Sequence, residues 1–366
     1  MPPVPVDPDE RPFVLIWELT QACALACKHC RADAQPNRHP DELSTEEGKA
    51  LLEDIRSFGE NQLLVLSGGD PLHRDDALAL IEYGLDIGLQ VTLTPSGTSS
   101  LRRSDIQELG DMGIRRLALS LDGATASSHD DFRQETGSFD RTMEAARTAR
   151  DIEIPLQINT TVCAETVDEL PALVELIEEL NIVLWSVFFL VPVGRGQVLD
   201  PVSPQRAEDV MTWLAKQHER RSFGIKTTEA PHFRRVMLQS LRDVNSVSSK
   251  HDDGIGRRSG IGAGNGFAFI SHTGDVYPSG FLPQSVGNVK DCSIVDLYRN
   301  APLFRQLRDP DRLHGKCGAC EFRQVCGGSR SRAWAVSGDP LASDPLCPYI
   351  PEGYAGELPP TLTTSG

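Results

Sequence analysis

Apolar and amphipathic stretches alternate along the first 225 residues of the chain. The segments between the apolar runs have helical spacing, and "STEEGKALLEDIRSF" (44–58) opens with a capping box made by Ser44 and Glu47. Six strands joined by helical crossovers require a parallel sheet. The apolar runs that predict these strands are 13–19, 62–67, 89–97, 115–123, 153–162 and 182–193.

Six β/α units are too few for a closed eight-unit barrel. We therefore predict an α/β fold built as an open, partial (β/α)6 barrel of the TIM type, with functional residues at the C-terminal ends of its strands. A hairpin is predicted at 267–281, at the start of a cysteine-rich extension. The predicted divisions are an N-terminal extension (1–12), the partial barrel (13–225), a helix and glycine-rich connection (226–266), the cysteine-rich domain (267–350) and a disordered tail (351–366).

Charge and targeting features narrow the range of partners. The formal net charge of -16 disfavours binding to nucleic acid or to an anionic membrane, because both would be repelled. The segment "MPPVPVDPDE" lacks the basic and apolar regions of a secretion signal. The longest apolar run, 182–193, is too short to span a bilayer. We expect a cytoplasmic protein with no nucleic-acid and no membrane partner.

Seven of the nine cysteines fall into two tight groups, one near each end of the chain. An odd number of cysteines without a secretion signal argues against a disulfide framework. The isolated Cys163 and Cys292 are expected to be small buried hydrophobic residues. The first group is Cys23, Cys27 and Cys30, spaced C-x3-C-x2-C directly after the first strand. The second group is Cys317, Cys320 and Cys326, followed 21 residues later by Cys347.

The first group is one ligand short, because a zinc site and a cubane cluster both normally have four ligands. His29 could complete a zinc site, but it is adjacent to Cys30, and structural zinc usually takes ligands from two separated pairs. The alternative is a four-iron, four-sulfur (4Fe-4S) cluster whose fourth iron binds a molecule that is not protein. The spacing favours this second interpretation.

The cysteine motif after a first strand resembles that of the radical S-adenosylmethionine (SAM) superfamily. The resemblance implies that the open iron chelates the amino and carboxylate groups of SAM. It also implies that the reduced cluster cleaves SAM to a 5'-deoxyadenosyl radical. In this interpretation the missing fourth ligand is a reactant.

Further motifs resemble the SAM-binding pattern of the same superfamily. "SGGDP" (67–71) resembles a Gly-Gly-Glu-Pro motif that meets the methionine ammonium, with Asp70 in place of the glutamate. "SLDG" (120–123) resembles a fourth-strand motif near the ribose or methionine. Arg195 follows the sixth strand and could bind SAM or a substrate carboxylate, or form a loop salt bridge. The resemblance assigns to SAM binding Gly68, Gly69, Asp70, Pro71, Ser120, Asp122 and Arg133.

The second cysteine group resembles the auxiliary-cluster region of SPASM and twitch domains. The full SPASM pattern has two more cysteines, at the positions of Ser279 and Arg330 in this chain. The resemblance therefore implies one auxiliary 4Fe-4S cluster and no second one, with a zinc ribbon as the alternative. An electron-transfer role is expected for a fully ligated cluster. Its implied ligands are Cys317, Cys320, Cys326 and Cys347.

The stretches "WELTQACALACKHCRADA" and "FISHTGDVYPSGFLP" resemble the haem-biosynthetic branch of the superfamily, which holds the alternative haem pathway decarboxylase and the haem d1 maturase. This implies hydrogen abstraction from a propionate of an iron tetrapyrrole, with a ferredoxin or flavodoxin as reductant. The alternative is modification of a ribosomally made peptide. Such enzymes often carry an N-terminal winged-helix module, and only about ten residues precede the first strand here.

Histidines are secondary candidates. His29 is expected to pack on the cluster and SAM, and His272, at the hairpin turn, could approach the substrate. The remaining candidates are expected to be ordinary surface or helix-start residues: His73, His129, His232 and His251.

Overall fold

The computed structural model describes residues 7–243, 261–360 and 362. In this part of the chain the strands form a single sheet in the order β10-β9-β8-β1-β2-β3-β4-β5-β6-β7. Strands β1 to β7 are parallel neighbours in chain order, and β8 pairs in parallel with the other side of β1. The strands are β1 (Val14–Glu18), β2 (Leu63–Ser67), β3 (Gln90–Leu93), β4 (Arg116–Ser120), β5 (Leu156–Val162), β6 (Leu184–Phe189), β7 (Gly224–Thr228), β8 (Phe267–Ile270), β9 (Asp275–Tyr277) and β10 (Gly287–Asn288).

Helices connect the parallel strands, as the sequence predicts. Helix α1 begins after Ser44 and has the predicted capping box with Glu47. The α-helices are α1 (Thr45–Arg56), α2 (Ala77–Asp86), α3 (Arg103–Met112), α4 (Ala126–Arg133), α5 (Ser138–Asp151), α6 (Leu170–Glu178), α7 (Pro204–Arg220), α8 (Phe233–Asp243), α9 (Ile294–Asn300), α10 (Pro302–Arg308), α11 (Gly315–Ala319) and α12 (Arg330–Ser337).

The predicted α/β fold with a mostly parallel sheet is confirmed, and the six predicted strands are β1 to β6. The hairpin predicted at 267–281 is formed by β8 and β9. Strand β7 was not predicted, because its sequence, GIKTT, has only one buried apolar residue, Ile225. It crosses the predicted domain boundary at residue 225. Most of the glycine-rich connection, including His251, lies outside the described residues.

Side chains alternate between the two faces of the sheet, as strand geometry requires. In β4, Leu117 and Leu119 pack into the main hydrophobic core. The opposite face carries Arg116 and Ser120, and we call it the cavity face. In the strands that follow β4, the apolar residues that face the core are Leu156, Ile158, Trp185, Val187 and Ile225.

The pairing register aligns one row of polar residues across the cavity face. Its members are consecutive partners in β4, β5, β6 and β7. Partners in a parallel sheet point to the same side, so these four side chains share the cavity face. The row consists of Ser120, Asn159, Ser186 and Lys226.

Two expectations about burial are corrected by the structure. Cys163 is buried as expected, but Cys292 is exposed, because it lies in the loop before α9. His129 and His232 lie at helix starts, which was one of the two alternatives, but both are fully buried and not on the surface. Among the described helices, none has the length and apolar character needed to cross a membrane.

Candidate active site

The loop after β1 carries the first cysteine group, and polar hydrogens point at its sulfur atoms. The backbone N–H of Leu25 donates to Cys23 Sγ at 3.3 Å, and that of Ala34 donates to Cys30 Sγ at 3.5 Å. Burial raises the pKa of the Cys23 thiol to about 11. Because only the thiolate is a metal ligand, iron binding must displace the thiol proton of each cysteine. The backbone N–H donors stabilise the negative charge of the thiolates that result.

Gly68 and Gly69 hold the end of β2 against the cysteine loop. The Gly69 N–H donates to Thr20 O at 2.8 Å. A Cβ on Gly69 would lie 2.4 Å from Ala22 O, and one on Gly68 would lie 2.7 Å from Thr20 O. Only glycine permits this approach. The sequence predicted these glycines near the cofactor, and the structure adds that they fix the backbone of the loop.

The Asp70 carboxylate is turned away from the cavity. Its two oxygens accept hydrogen bonds from Thr98 Oγ1 and Ser100 Oγ, both at 2.6 Å, and from the Leu72 N–H at 3.3 Å. Pro71 begins a short 3-10 turn after it, and neither residue lines the cavity. In this structure Asp70 ties the loop after β3 to the loop after β2.

The loops at the C-terminal ends of β1 to β6 enclose a cavity of about 210 Å³. Its walls combine sulfur, backbone and guanidinium groups, together with His29. The predicted residues that line it are Cys23, Cys27, Cys30, Gly68, Gly69, Ser120, Asp122, Arg133 and Arg195.

Asp122 and Arg133 form a buried ion pair in the cavity wall, with Asp122 Oδ2 2.9 Å from Arg133 Nε. Burial alone would raise the pKa of Asp122, but the adjacent guanidinium and the Thr161 N–H, which donates at 2.7 Å, hold it below its usual range. Arg133 Nη1 donates to Cys27 Sγ at 3.5 Å. Arg133 Nη2 is buried without a hydrogen-bond partner.

Arg195 joins the segment after β6 to the cysteine loop. Its Nε donates to Cys27 O and its Nη1 to Ala34 O, both at 3.0 Å, and Nη1 also lies 3.3 Å from Asp33 Oδ1. Gly194 has a φ of +55°, and a Cβ there would lie 2.4 Å from the Arg31 carbonyl oxygen. Arg195 thus makes the loop salt bridge, while its buried Nη2 keeps no partner at the cavity wall.

His29 forms part of the wall by stacking on Phe132, with ring centroids 4.7 Å apart and 9° between the planes. Burial lowers the pKa of His29 to about 4, so the ring is neutral. In the part of the chain that the structure describes, no three His, Cys, Asp or Glu side chains converge closely enough to hold a single metal ion. The three cysteines instead line a cavity.

The second cysteine group surrounds a small cavity of about 20 Å³, lined by all four cysteines and by Arg235 and Lys316. Lys316 is buried, and its Nζ donates to the Cys347 carbonyl oxygen. Burial raises the pKa of the Cys347 thiol to about 11, although the two cations oppose this rise. The donor set is four thiols beside two cations, which suits a centre of negative charge.

Of the two positions where the SPASM pattern has further cysteines, Ser279 belongs to a carboxylate network and Arg330 binds backbone carbonyls. Ser279 Oγ donates to Glu229 Oε1 at 3.1 Å, and Ser329 and Ser331 also donate to Glu229, at 2.5 and 2.9 Å. Arg330 donates to two backbone carbonyls at 2.7 and 2.8 Å. Glu229 was missed by sequence reasoning, because its partners are 50 or more residues away.

His272 does not line the cavity. Its Nδ1 lies 2.7 Å from Glu18 Oε1, and Glu18 Oε2 accepts from Arg31 Nη2 at 2.6 Å. Arg31 lines the cavity and stacks on Phe269, with the guanidinium carbon 4.4 Å from the ring centroid. His272 is therefore connected to the cavity-lining Arg31 through Glu18 and does not contact the cavity itself.

Comparison with known proteins defines the class that this fold and site represent. The profile of the radical SAM superfamily matches residues 17–177. The chain belongs to the radical SAM superfamily and is an enzyme of that class. Membership implies SAM and a 4Fe-4S cluster as cofactors. The three cysteines and the unpartnered Nη2 atoms of Arg133 and Arg195 fit a cluster and an anionic carboxylate ligand.

More particular likenesses run almost the full length of the chain. An AdoMet-dependent heme synthase of Methanosarcina barkeri is 40% identical over 341 residues, which cover 93% of this chain and 97% of the relative. A pre-heme d1 synthase of Dinoroseobacter shibae is 30% identical over 360 residues, with 94% and 87% covered. The crystal structure of SuiB from Streptococcus suis matches with a TM-score of 0.72, covering 93% of this chain and 78% of SuiB. At 17% identity it shows a shared fold.

Proposed function

We propose that this radical SAM enzyme removes carboxyl groups oxidatively from propionate side chains of an iron tetrapyrrole, as in the conversion of iron coproporphyrin III to haem. The observation that carries the proposal is the near full-length likeness to a haem synthase, combined with a cavity in which three cysteines and two unpartnered guanidinium donors meet. A peptide substrate is less favoured, because the likeness to SuiB is at the level of fold.

The residues of the chain supply binding and orientation around the cofactor. When bound, SAM and the reduced cluster supply a 5'-deoxyadenosyl radical, which takes a hydrogen atom from a substrate carbon. Arg133 and Arg195 would each offer an unpartnered Nη2 group to the SAM carboxylate. Gly68 and Gly69 keep the cysteine loop in place, and the His29 ring closes one wall without carrying charge.

We also infer that Cys317, Cys320, Cys326 and Cys347 hold an auxiliary 4Fe-4S cluster. A propionate side chain that has lost a hydrogen atom forms a vinyl group by releasing CO2 and one electron. That electron needs an acceptor near the site. Lys316 and Arg235 favour electron uptake, because a positive charge stabilises the more negative reduced state. Arg235 is paired with Glu208 at 2.5 Å, so Lys316 contributes the larger net charge.

The reaction also needs an electron donor for the first cluster. A ferredoxin or flavodoxin would reduce the first cluster, and the enzyme would act in the cytoplasm on a small-molecule substrate. No nucleic-acid or membrane partner is proposed, in keeping with a net charge of -16.

The test is an anaerobic reaction of the iron-loaded, dithionite-reduced protein with SAM and iron coproporphyrin III, followed by mass spectrometry. We expect 5'-deoxyadenosine together with a porphyrin that has lost two carboxyl groups. A Cys23→Ala variant should form neither product. The wild-type protein should bind about eight irons, four for each cluster.

Two results would overturn parts of this proposal separately. Deoxyadenosine with an unchanged porphyrin would refute the tetrapyrrole substrate and direct the search to peptides. An iron content of about four, unchanged in a Cys320→Ala variant, would refute the auxiliary cluster.

A further inference from the structure

Two cations on the cavity face have no acidic partner among the described residues. Arg116 of β4 donates from Nη1 to Gln157 Oε1 at 2.9 Å, and its buried Nε has no hydrogen-bond partner. Lys226 of β7 makes no hydrogen bond and no ion pair within the described ranges. Arg116 is partly buried and Lys226 is exposed, so both cations are available to an anion that approaches the inner face of the sheet.

The sheet register places Lys226 beside the cavity. It lies in the same row as Ser120 and Asn159, which line the cavity wall. Neighbouring strands are about 4.8 Å apart, so the Cα of Lys226 lies about 10 Å from that of Asn159, two strands away. Lys226 does not itself line the cavity, but the neighbouring strand β6 contributes Phe188 to the cavity wall. Strand β7 is also an edge of the sheet.

Arg116 is connected to the same wall by hydrogen bonds. It shares the cavity face with Ser120, because residues two and four positions apart in a strand point the same way. Its partner Gln157 donates in turn to Asn159 Oδ1 at 2.6 Å. Arg116 therefore lies below the cavity-lining row, in contact with a side chain that holds Asn159.

The carboxylates of the surrounding elements are already engaged. Glu18 is paired with Arg31 at 2.6 Å, and Asp122 with Arg133 at 2.9 Å. Glu229, just after β7, accepts hydrogen bonds from three serine hydroxyl groups. None of these acids neutralises Arg116 or Lys226.

The surroundings of Lys226 fit a site that binds an anion and is open to solvent on one side. The side chain is accessible to water, yet protein atoms surround it, as expected for a residue inside a concave surface. The surrounding protein atoms and the like charge of Arg116 together lower the pKa of Lys226 to about 8. A bound anion would relieve both effects, because it would supply the missing counter-charge.

We propose that Arg116 and Lys226 bind a carboxylate of the substrate that does not react, and so orient the macrocycle in the cavity. The inference rests on the proposed function, because the substrate of that reaction carries several carboxylates and needs cations to hold those left intact. It adds a site to that function. Arg133 and Arg195 would meet the SAM carboxylate, whereas Arg116 and Lys226 would meet the substrate.

The test measures binding of iron coproporphyrin III to the iron-loaded, SAM-bound protein by its change in absorbance under anaerobic conditions. We expect Lys226→Gln and Arg116→Gln each to raise the Kd about tenfold, as for loss of one charge-assisted hydrogen bond. Lys226→Arg keeps the charge and should bind nearly as the wild type does. Lys49→Gln on α1, which removes a charge paired with the exposed Glu46, is the matched control.

The tetramethyl ester of the same porphyrin separates charge recognition from general damage to the fold. If the cations bind a carboxylate, the ester should bind the wild type and the glutamine variants equally. Equal Kd values for the free acid across all variants, or equal losses for acid and ester, would overturn the inference while leaving the proposed function intact. Failure of the wild type to bind the porphyrin at all would instead refute the proposed substrate.

Discussion

The buried ion pair between Asp122 and Arg133 offers a sharp test of the electrostatics of the site. Arg133→Gln removes the cation and leaves a carboxylate that is only 2% exposed. Two unit charges 2.9 Å apart attract by about 6 kcal/mol at an effective dielectric constant of 20. Removing one partner of such a pair costs about 3–5 kcal/mol, because the other charge stays buried and unpaired.

The measurement is urea denaturation of the iron-free protein at pH 8 and at pH 5. In the wild type the pKa of Asp122 is lowered, so the pair stabilises the fold above the unfolded pKa, and this stability is lost as the pH falls through the folded value. In Arg133→Gln, burial raises the pKa of Asp122. Protonation then relieves the unpaired charge, and the stability deficit should shrink at pH 5.

The double variant Asp122→Asn, Arg133→Gln completes the cycle. It should be more stable than Arg133→Gln alone, because no buried charge remains. Arg206→Gln, which breaks an exposed pair with Asp168, is the control and should cost less than about 1 kcal/mol. The reasoning is refuted if Arg133→Gln costs no more than this control, or if its deficit grows as the pH falls.

Three further changes test the two cysteine groups. Gly69→Ala forces a Cβ to within 2.4 Å of a backbone oxygen of the cysteine loop. It should abolish iron binding at that loop and so halve the iron content. Gly262→Ala has open space around its new Cβ and should leave the iron content unchanged. Lys316→Gln should lower the reduction potential of the auxiliary centre by about 60 mV, which is a tenfold change in equilibrium constant. The assay is a redox titration followed by electron paramagnetic resonance. An unchanged potential would contradict the electrostatic role of Lys316. Cys320→Ser should lose about four irons by direct iron assay, whereas the exposed Cys292→Ser should lose none.

Local features of the site could be predicted from the sequence because their geometry is set within a few residues. The spacing of Cys23, Cys27 and Cys30 fixes three ligands on one loop, and the order of strands places that loop at the C-terminal edge of a parallel sheet. Gly68 and Gly69 were predicted at the cofactor, and both line the cavity. Strand β7 was missed, because an edge strand with one buried residue carries little apolar periodicity.

The sequence by itself determined the strands β1 to β6, the two cysteine groups and, through the resemblance of its motifs, the chemical class of the enzyme, since each depends on local patterns. Only the tertiary structure decided that Asp70 faces away from the cavity, that His129 and His232 are buried, and that Glu229 accepts hydrogen bonds from serines distant in the chain. It alone placed Arg116 and Lys226 on one face without an acid. Such pairings arise from the register between strands far apart in the chain, and no local pattern encodes that register.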